Sequence, residues 1–154
     1  MVSTIRPTAS STMAYPSSLL LGFERVKIDP KLRFVMPARY RRLIPQGLIL
    51  VPMCLKTPVK GKEILIIALL TQKQFEDRYN ALETPDLQEK LARGSFDVEM
   101  DGTGRVQISK EMNEIFNFKA GRYIVIAGVG THLQIWDTAD WANKPAITLT
   151  LGIS

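Results

Sequence analysis

The chain is poor in the residues that carry covalent and metal chemistry. Its 154 residues include one cysteine, Cys54, and one histidine, His132. A single thiol excludes an intrachain disulfide and fits a reducing cytoplasm. One imidazole and one thiol leave no ligand spacing for zinc, and no Ser-His-Asp or paired-carboxylate constellation is visible. No metal, cofactor or catalytic residue is therefore expected. Long apolar runs are also missing. A membrane helix needs roughly 20 apolar residues, and the longest run here, Ile64 to Leu70, has the length of a strand. Leu19-Leu20-Leu21 is too short for a signal peptide. Gly128-Val129-Gly130 has no lysine and helix behind it, which argues against a phosphate loop. His132 reads as a surface turn residue.

Charge is present but unevenly spread. The net charge is +5, yet residues 22–60 hold nine Lys/Arg against two acids, while residues 61–154 hold ten against thirteen. A basic half has two readings, a surface for a polyanion and a solvated cationic face.

Residues 1–19 are rich in Ser, Thr and Pro and read as a disordered leader, within which Met13 is a second candidate start. Beyond them lies an internal repeat at an offset of 72 residues. Gly22, Val26, Asp29 and Arg33 coincide with Gly94, Val98, Asp101 and Arg105, and Ile28 faces Met100. Each copy reads as a short alternating strand, a turn at Asp-x-x-x-Arg, a second strand, about two helical turns (Pro37–Ile44 and Ser109–Phe116) closed by a glycine, and a hairpin. The hairpins pair Leu48–Val51 with Ile64–Leu70, and Tyr123–Ala127 with Leu133–Trp136. The domain boundaries are a module at 20–71, a helical connector at 72–93, a second module at 94–140 and a tail at 141–154. The connector comprises a helix from Thr71 to Leu82 and another opened by Pro85. Asp137 is a candidate cap for a last helix, and 146–153 alternates Thr with aliphatics. Val26, Ile28, Val35, Leu48, Leu50, Val98, Ile108, Ile124 and Ile126 are the expected core. A copy of 45–50 residues is too small to bury a good core alone, so the two copies should pack on each other. The fold class is α+β, rich in β, with two tandem modules and connecting helices.

The candidate site is the duplicated turn. Arg33 and Arg105 can each form a bidentate contact to phosphate or a guanine edge. Asp29 and Asp101 can hold those guanidiniums or merely tie the turns. Lys27, Lys31, Arg39, Arg41 and Arg42 surround the first motif as candidate phosphate contacts; solubility is the alternative role. Arg39 and Arg42 share a face of the first helix.

These residues resemble the MraZ family, whose modules belong to the SpoVT-AbrB swapped-hairpin superfamily. The first matching block is Asp29-Pro30-Lys31-Leu32-Arg33-Phe34-Val35-Met36-Pro37-Ala38-Arg39-Tyr40-Arg41, and the second is Asp101 to Arg105. The third is Val125-Ile126-Ala127-Gly128-Val129-Gly130 continuing to Leu133-Gln134-Ile135-Trp136. The resemblance spans about residues 20–142. It implies a cytoplasmic, nucleoid-associated regulator that binds double-stranded DNA and acts on the division and cell-wall gene cluster. It also implies an intrachain pseudo-dimer of swapped-hairpin modules that assembles into a homo-oligomeric ring. Asp29, Arg33, Asp101 and Arg105 fall on the family's hallmark motif. The chain departs from the family's pattern at Leu32, where glycine is usual, and at Ser109, where proline is usual. An oligomeric or antitoxin-like protein-binding module without DNA contact is the alternative function.

Overall fold

Alternation along Phe23–Lys27 sets up the first strand, β1. Val26 leans into the interior while Arg25 and Lys27 stay exposed. The computed structural model describes residues 19–56 and 61–143. All of the expected leader (1–19) but Leu19, and the alternating tail (146–153), lie outside the described residues. After β1 come β2 (Arg33–Val35), α1 (Ala38–Arg41), β3 (Gly47–Lys56) and β4 (Glu63–Leu70). The connector forms α2 (Gln72–Ala81) and α3 (Pro85–Gly94). The second copy supplies β5 (Phe96–Glu99), β6 (Arg105–Gln107), α4 (Lys110–Phe116), β7 (Tyr123–Gly128), β8 (Leu133–Asp137) and α5 (Thr138–Ala142). The architecture is α+β and strand-rich.

An antiparallel six-stranded sheet runs in the order β1-β7-β8-β4-β3-β5, and β2 pairs with β6 in a separate two-stranded ribbon. If each strand is exchanged for its counterpart in the other copy, the sheet order reads the same from the opposite end. The first strand of each copy pairs with the third strand of the other. In the ribbon, Phe34 is opposite Val106, its own counterpart at the 72-residue offset. Two reciprocal backbone bonds flank that pair: Met36 N–H donates to Gly104 O at 2.8 Å, and Ile108 N–H to Leu32 O at 2.9 Å.

The main core lies between one face of the sheet and the ribbon with α1 and α4. It includes Ile28, Phe34, Met36, Leu50, Val106, Ile108, Ile126 and Ile135. On the opposite face, Phe75 and Leu91 cover Ile49, Val51, Ala68 and Leu70, while Trp141 covers Trp136 and Val125. Thr71 and Gln74 form a reciprocal capping box at the start of α2, so Thr71 is the cap and not the first helical residue. Thr84 caps α3 with Pro85 at its start, and Asp137 caps α5 through Ala139 N–H at 2.8 Å.

Several expectations change. The first-copy helix has four residues instead of two turns. Pro37 offers no side-chain cap, and Pro45 disfavours helical geometry at Ile44. Helix α4 ends on Asn117 at φ 56°, not on a glycine; the Asn113 carboxamide oxygen accepts Phe118 N–H at 2.6 Å beside it. The first hairpin is longer than Leu48–Val51. Strand β3 continues to Lys56, and Pro52 is tolerated because β5 pairs only with Gly47–Leu50 and leaves that flank of β3 open. Val35 is 49% exposed and is no part of the core, because its neighbour Phe34 takes the inward face of the ribbon.

His132 is buried, not a surface turn residue. The turn before it folds back, with Val129 N–H donating to His132 O at 3.0 Å, and Gln74 donates to Thr131 O at 2.6 Å from α2. Its Nδ1 lies 3.1 Å from Thr131 Oγ1, and Nε2 has no partner among the described residues. Desolvation, with a contribution from the positive charge of Arg78, lowers its pKa from 6.5 to about 4. Below pH 6.5 the unfolded chain binds a proton that the folded chain refuses. Stability is therefore complete above that pH, falls as pH drops, and levels off below about 4. Urea unfolding should show a loss of about 2 kcal/mol between pH 7.5 and pH 5, which His132→Asn removes. The same slope in that variant would exclude His132 as its source.

Candidate nucleic-acid interface

Each repeated turn is organised by one carboxylate. Asp29 Oδ1 accepts Lys31 N–H at 2.8 Å and Arg33 N–H at 2.9 Å, and its Oδ2 accepts Arg33 Nε–H at 2.8 Å. Asp101 repeats this pattern, accepting Thr103 N–H and Arg105 N–H at 2.9 Å on Oδ1 and Arg105 Nε–H at 2.7 Å on Oδ2. The Thr103 hydroxyl adds a bond of 2.8 Å. At Asp29 partial desolvation opposes ionisation, but the bonds from the Arg33 backbone and side chain and from Lys31 N–H outweigh it, and the pKa is lowered. At Asp101 the Arg105 backbone and side chain, with Thr103, hold the carboxyl far below its ordinary value. Both carboxylates are thus ionised at neutral pH.

Both turns need a left-handed residue just before the arginine. The second uses Gly104 at φ 86°, while the first forces Leu32 to φ 58°. Leu32 keeps that geometry while packing against the main core. Leu32 therefore adopts the backbone shape that glycine supplies in the second copy.

The ribbon brings the two turns together. Arg33 is opposite Gln107, and Val35 is opposite Arg105. Opposed residues of an antiparallel pair project to the same face, so these four side chains share the outward face while Phe34 and Val106 form the inward one. The arginines are diagonal neighbours, separated by about 7–8 Å in ordinary strand geometry and by somewhat less at Cβ. Their side chains are 27% and 41% exposed, so a ligand reaches them without opening the core. Each guanidinium is anchored through Nε, and its terminal nitrogens have no hydrogen-bond partner among the described residues.

The other expected cations fall into different places. Lys31 is exposed beside Arg33. Arg42 is exposed on the turn after α1, with no ion pair among the described residues. Arg39 is tied to the segment that leads into β1. It donates to Leu21 O, lies 3.5 Å from Glu24 and stacks 4.8 Å from the Tyr40 ring. Lys27 points to the opposite sheet face, 5.9 Å from the ring of Tyr123. Arg41, expected beside the first motif, reaches across to the second copy and donates to Thr103 O. The basic α1 of the first copy thus supports the cation-poor turn of the second. On the other side Lys110 lines a shallow cavity with Lys31, Leu32, Gln107 and Glu114. Among the described residues no three His, Cys, Asp or Glu come together as a metal site.

Residues 91–144, which include the second turn and its strands, match the model of a family described as "MraZ protein, putative antitoxin-like". The chain is 29% identical over 131 residues to a protein of Paenarthrobacter aurescens named "Transcriptional regulator MraZ", covering 80% of this chain and 84% of that protein. A protein of the same name from Bifidobacterium longum is 29% identical over 139 residues, covering 85% of both chains. The chain is thus similar to MraZ proteins over most of its length. A third relative of that name, from Roseiflexus castenholzii, is 29% identical over 128 residues and covers 81% of this chain. Alignments of such length exceed either copy, so the likeness to MraZ proteins includes both turns.

Proposed function

We propose that the chain is a sequence-specific, DNA-binding transcriptional regulator that meets duplex DNA with the β2–β6 ribbon. The single observation that carries this reading is the common outward face of Arg33 and Arg105, each fixed at Nε with its terminal nitrogens unspent. A two-stranded ribbon fits the major groove, where an arginine can grip the O6 and N7 of guanine. The relatives named as transcriptional regulators support it. The role is non-enzymatic, in the cytoplasm and nucleoid, with the division and cell-wall gene cluster as target.

The finer architecture of this reading is a tandem swapped-hairpin pseudo-dimer with modules at 20–71 and 94–140, several chains of which close into a ring. The sheet order that survives exchange of the two copies supports the pseudo-dimer. No helix among the described residues is long and apolar enough to cross a membrane.

Arg33 and Arg105 take the base edges in this geometry, and Lys31, Arg41, Arg42 and Lys110 stand at the flanks for phosphates. Four phosphate contacts predict a log K against log salt slope of about −3 to −4. Fluorescence anisotropy on duplex DNA from upstream of the chain's own gene measures it. Binding that ignores salt, or no binding at low salt, refutes the interface. The antitoxin-like wording of the family description favours a protein partner as a second reading. A partner captured by a chain that leaves DNA untouched would favour it.

A further inference from the structure

The outward face of the ribbon is not symmetric. At the position two residues beyond each arginine, the first copy has Val35 and the second has Gln107. Each lies directly across the ribbon from the other copy's arginine, about 4.5–5.5 Å away at Cβ. Val35 is 49% exposed beside charged side chains, so about half of an apolar β-branched residue stands open to water. Gln107 is held in one orientation. Its Nε2 faces the carbonyls of Lys31 at 2.8 Å, Ile108 at 3.0 Å and Leu32 at 3.4 Å. All three are acceptors, so the nitrogen must point inward and Oε1 outward. That oxygen has no partner among the described residues.

Resting on the DNA-binding reading, we propose that Val35 and Gln107 are the specificity-determining companions of the two arginines. At one end Arg105 grips a guanine while Val35 packs on the methyl group of a thymine one or two base pairs away. At the other end Arg33 grips a guanine while Gln107 Oε1 accepts from the exocyclic amino group of a neighbouring cytosine or adenine. The chemistry follows from the major-groove pattern, in which only thymine offers a methyl group and only cytosine and adenine offer amino donors. The two ends of one ribbon therefore demand different neighbours for their guanines.

The test uses the full-length chain and the tightest duplex it selects from a random library. Replacing its thymines with deoxyuridine removes only the methyl groups. Loss of one buried methyl contact weakens wild-type binding about fourfold. Val35→Ala binds more weakly but responds to uracil by less than about 1.5-fold, because the contact is already gone. Selection repeated with Gln107→Met loses the cytosine-or-adenine preference beside one guanine and keeps the thymine. Wild-type binding that is indifferent to uracil, or an equal uracil penalty in Val35→Ala, overturns the proposal while leaving DNA binding intact. Failure of the wild-type chain to select any duplex overturns the regulator reading and this one with it. Thermal melting of both variants excludes unfolding as the cause.

Discussion

Alanine at both Arg33 and Arg105 should weaken duplex binding by roughly 30-fold to 10⁴-fold. A base-reading arginine contributes about 1–3 kcal/mol, and the two residues occupy opposite strands of the ribbon. They are diagonal neighbours, so each single variant should account for less or more than half of the loss depending on their coupling. Stability should hardly change. Each arginine is part-exposed and pairs with an aspartate on the surface, and exposed pairs are worth about 0–1 kcal/mol. Lysine at either position keeps the charge but cannot be held by the aspartate at Nε while forking onto a base. Arg33→Lys should therefore retain weak salt-sensitive binding and lose preference for the selected sequence. Anisotropy titrations of specific and scrambled duplexes separate the two effects. A double variant that binds as wild type would remove the ribbon from the interface.

The turn itself was open to reading from the chain, since four residues recur at one offset and the geometry repeats with them. The Asp–Arg bond distances differ by only 0.1 Å between the copies, at 2.8 and 2.7 Å. Strand alternation also separates Lys27 from the arginines, because Val26 must face inward and its neighbour cannot. Grouping cations by nearness in the chain hides that. What sequence periodicity does not contain is which copy meets which. Arg41 touches Thr103, and Gln107 touches Lys31, only because strands pair between copies that are 72 residues apart. The charge imbalance between halves is therefore partly mixed in space, with first-copy cations flanking the second turn. Val35 defeats a hydrophobicity argument for the same reason. The ribbon has one interior face, and Phe34 with Val106 fills it. His132 is similar: its burial depends on α2 closing over the turn at 129–132, a contact invisible to local polarity.

Phe34 tests whether the ribbon is held by the shared core or by its turns. It is 1% exposed at the crossing point of the two copies, opposite Val106, and its ring belongs to the cluster that includes Met36, Tyr40, Ile108 and Met112. Phe34→Ala should cost about 3–5 kcal/mol, the range for removing a buried ring and leaving its cavity. Val35→Ala, one residue along, should stay within about 0.5 kcal/mol of wild type, because its side chain faces water. Urea denaturation of both variants measures this contrast between adjacent positions. The two Asp–Arg turns are closed by local bonds that do not involve the ring, so they survive as isolated geometry when Phe34 is lost. Their mutual placement should loosen, because the three paired positions of β2 and β6 and the two backbone bonds that flank them are centred on that ring. Phe34→Ala should thus weaken DNA binding under conditions where the chain is still folded, although residue 34 faces away from any ligand. Equal stability losses at 34 and 35, or full DNA affinity in Phe34→Ala, would mean that the turns and not the core keep the arginines in register.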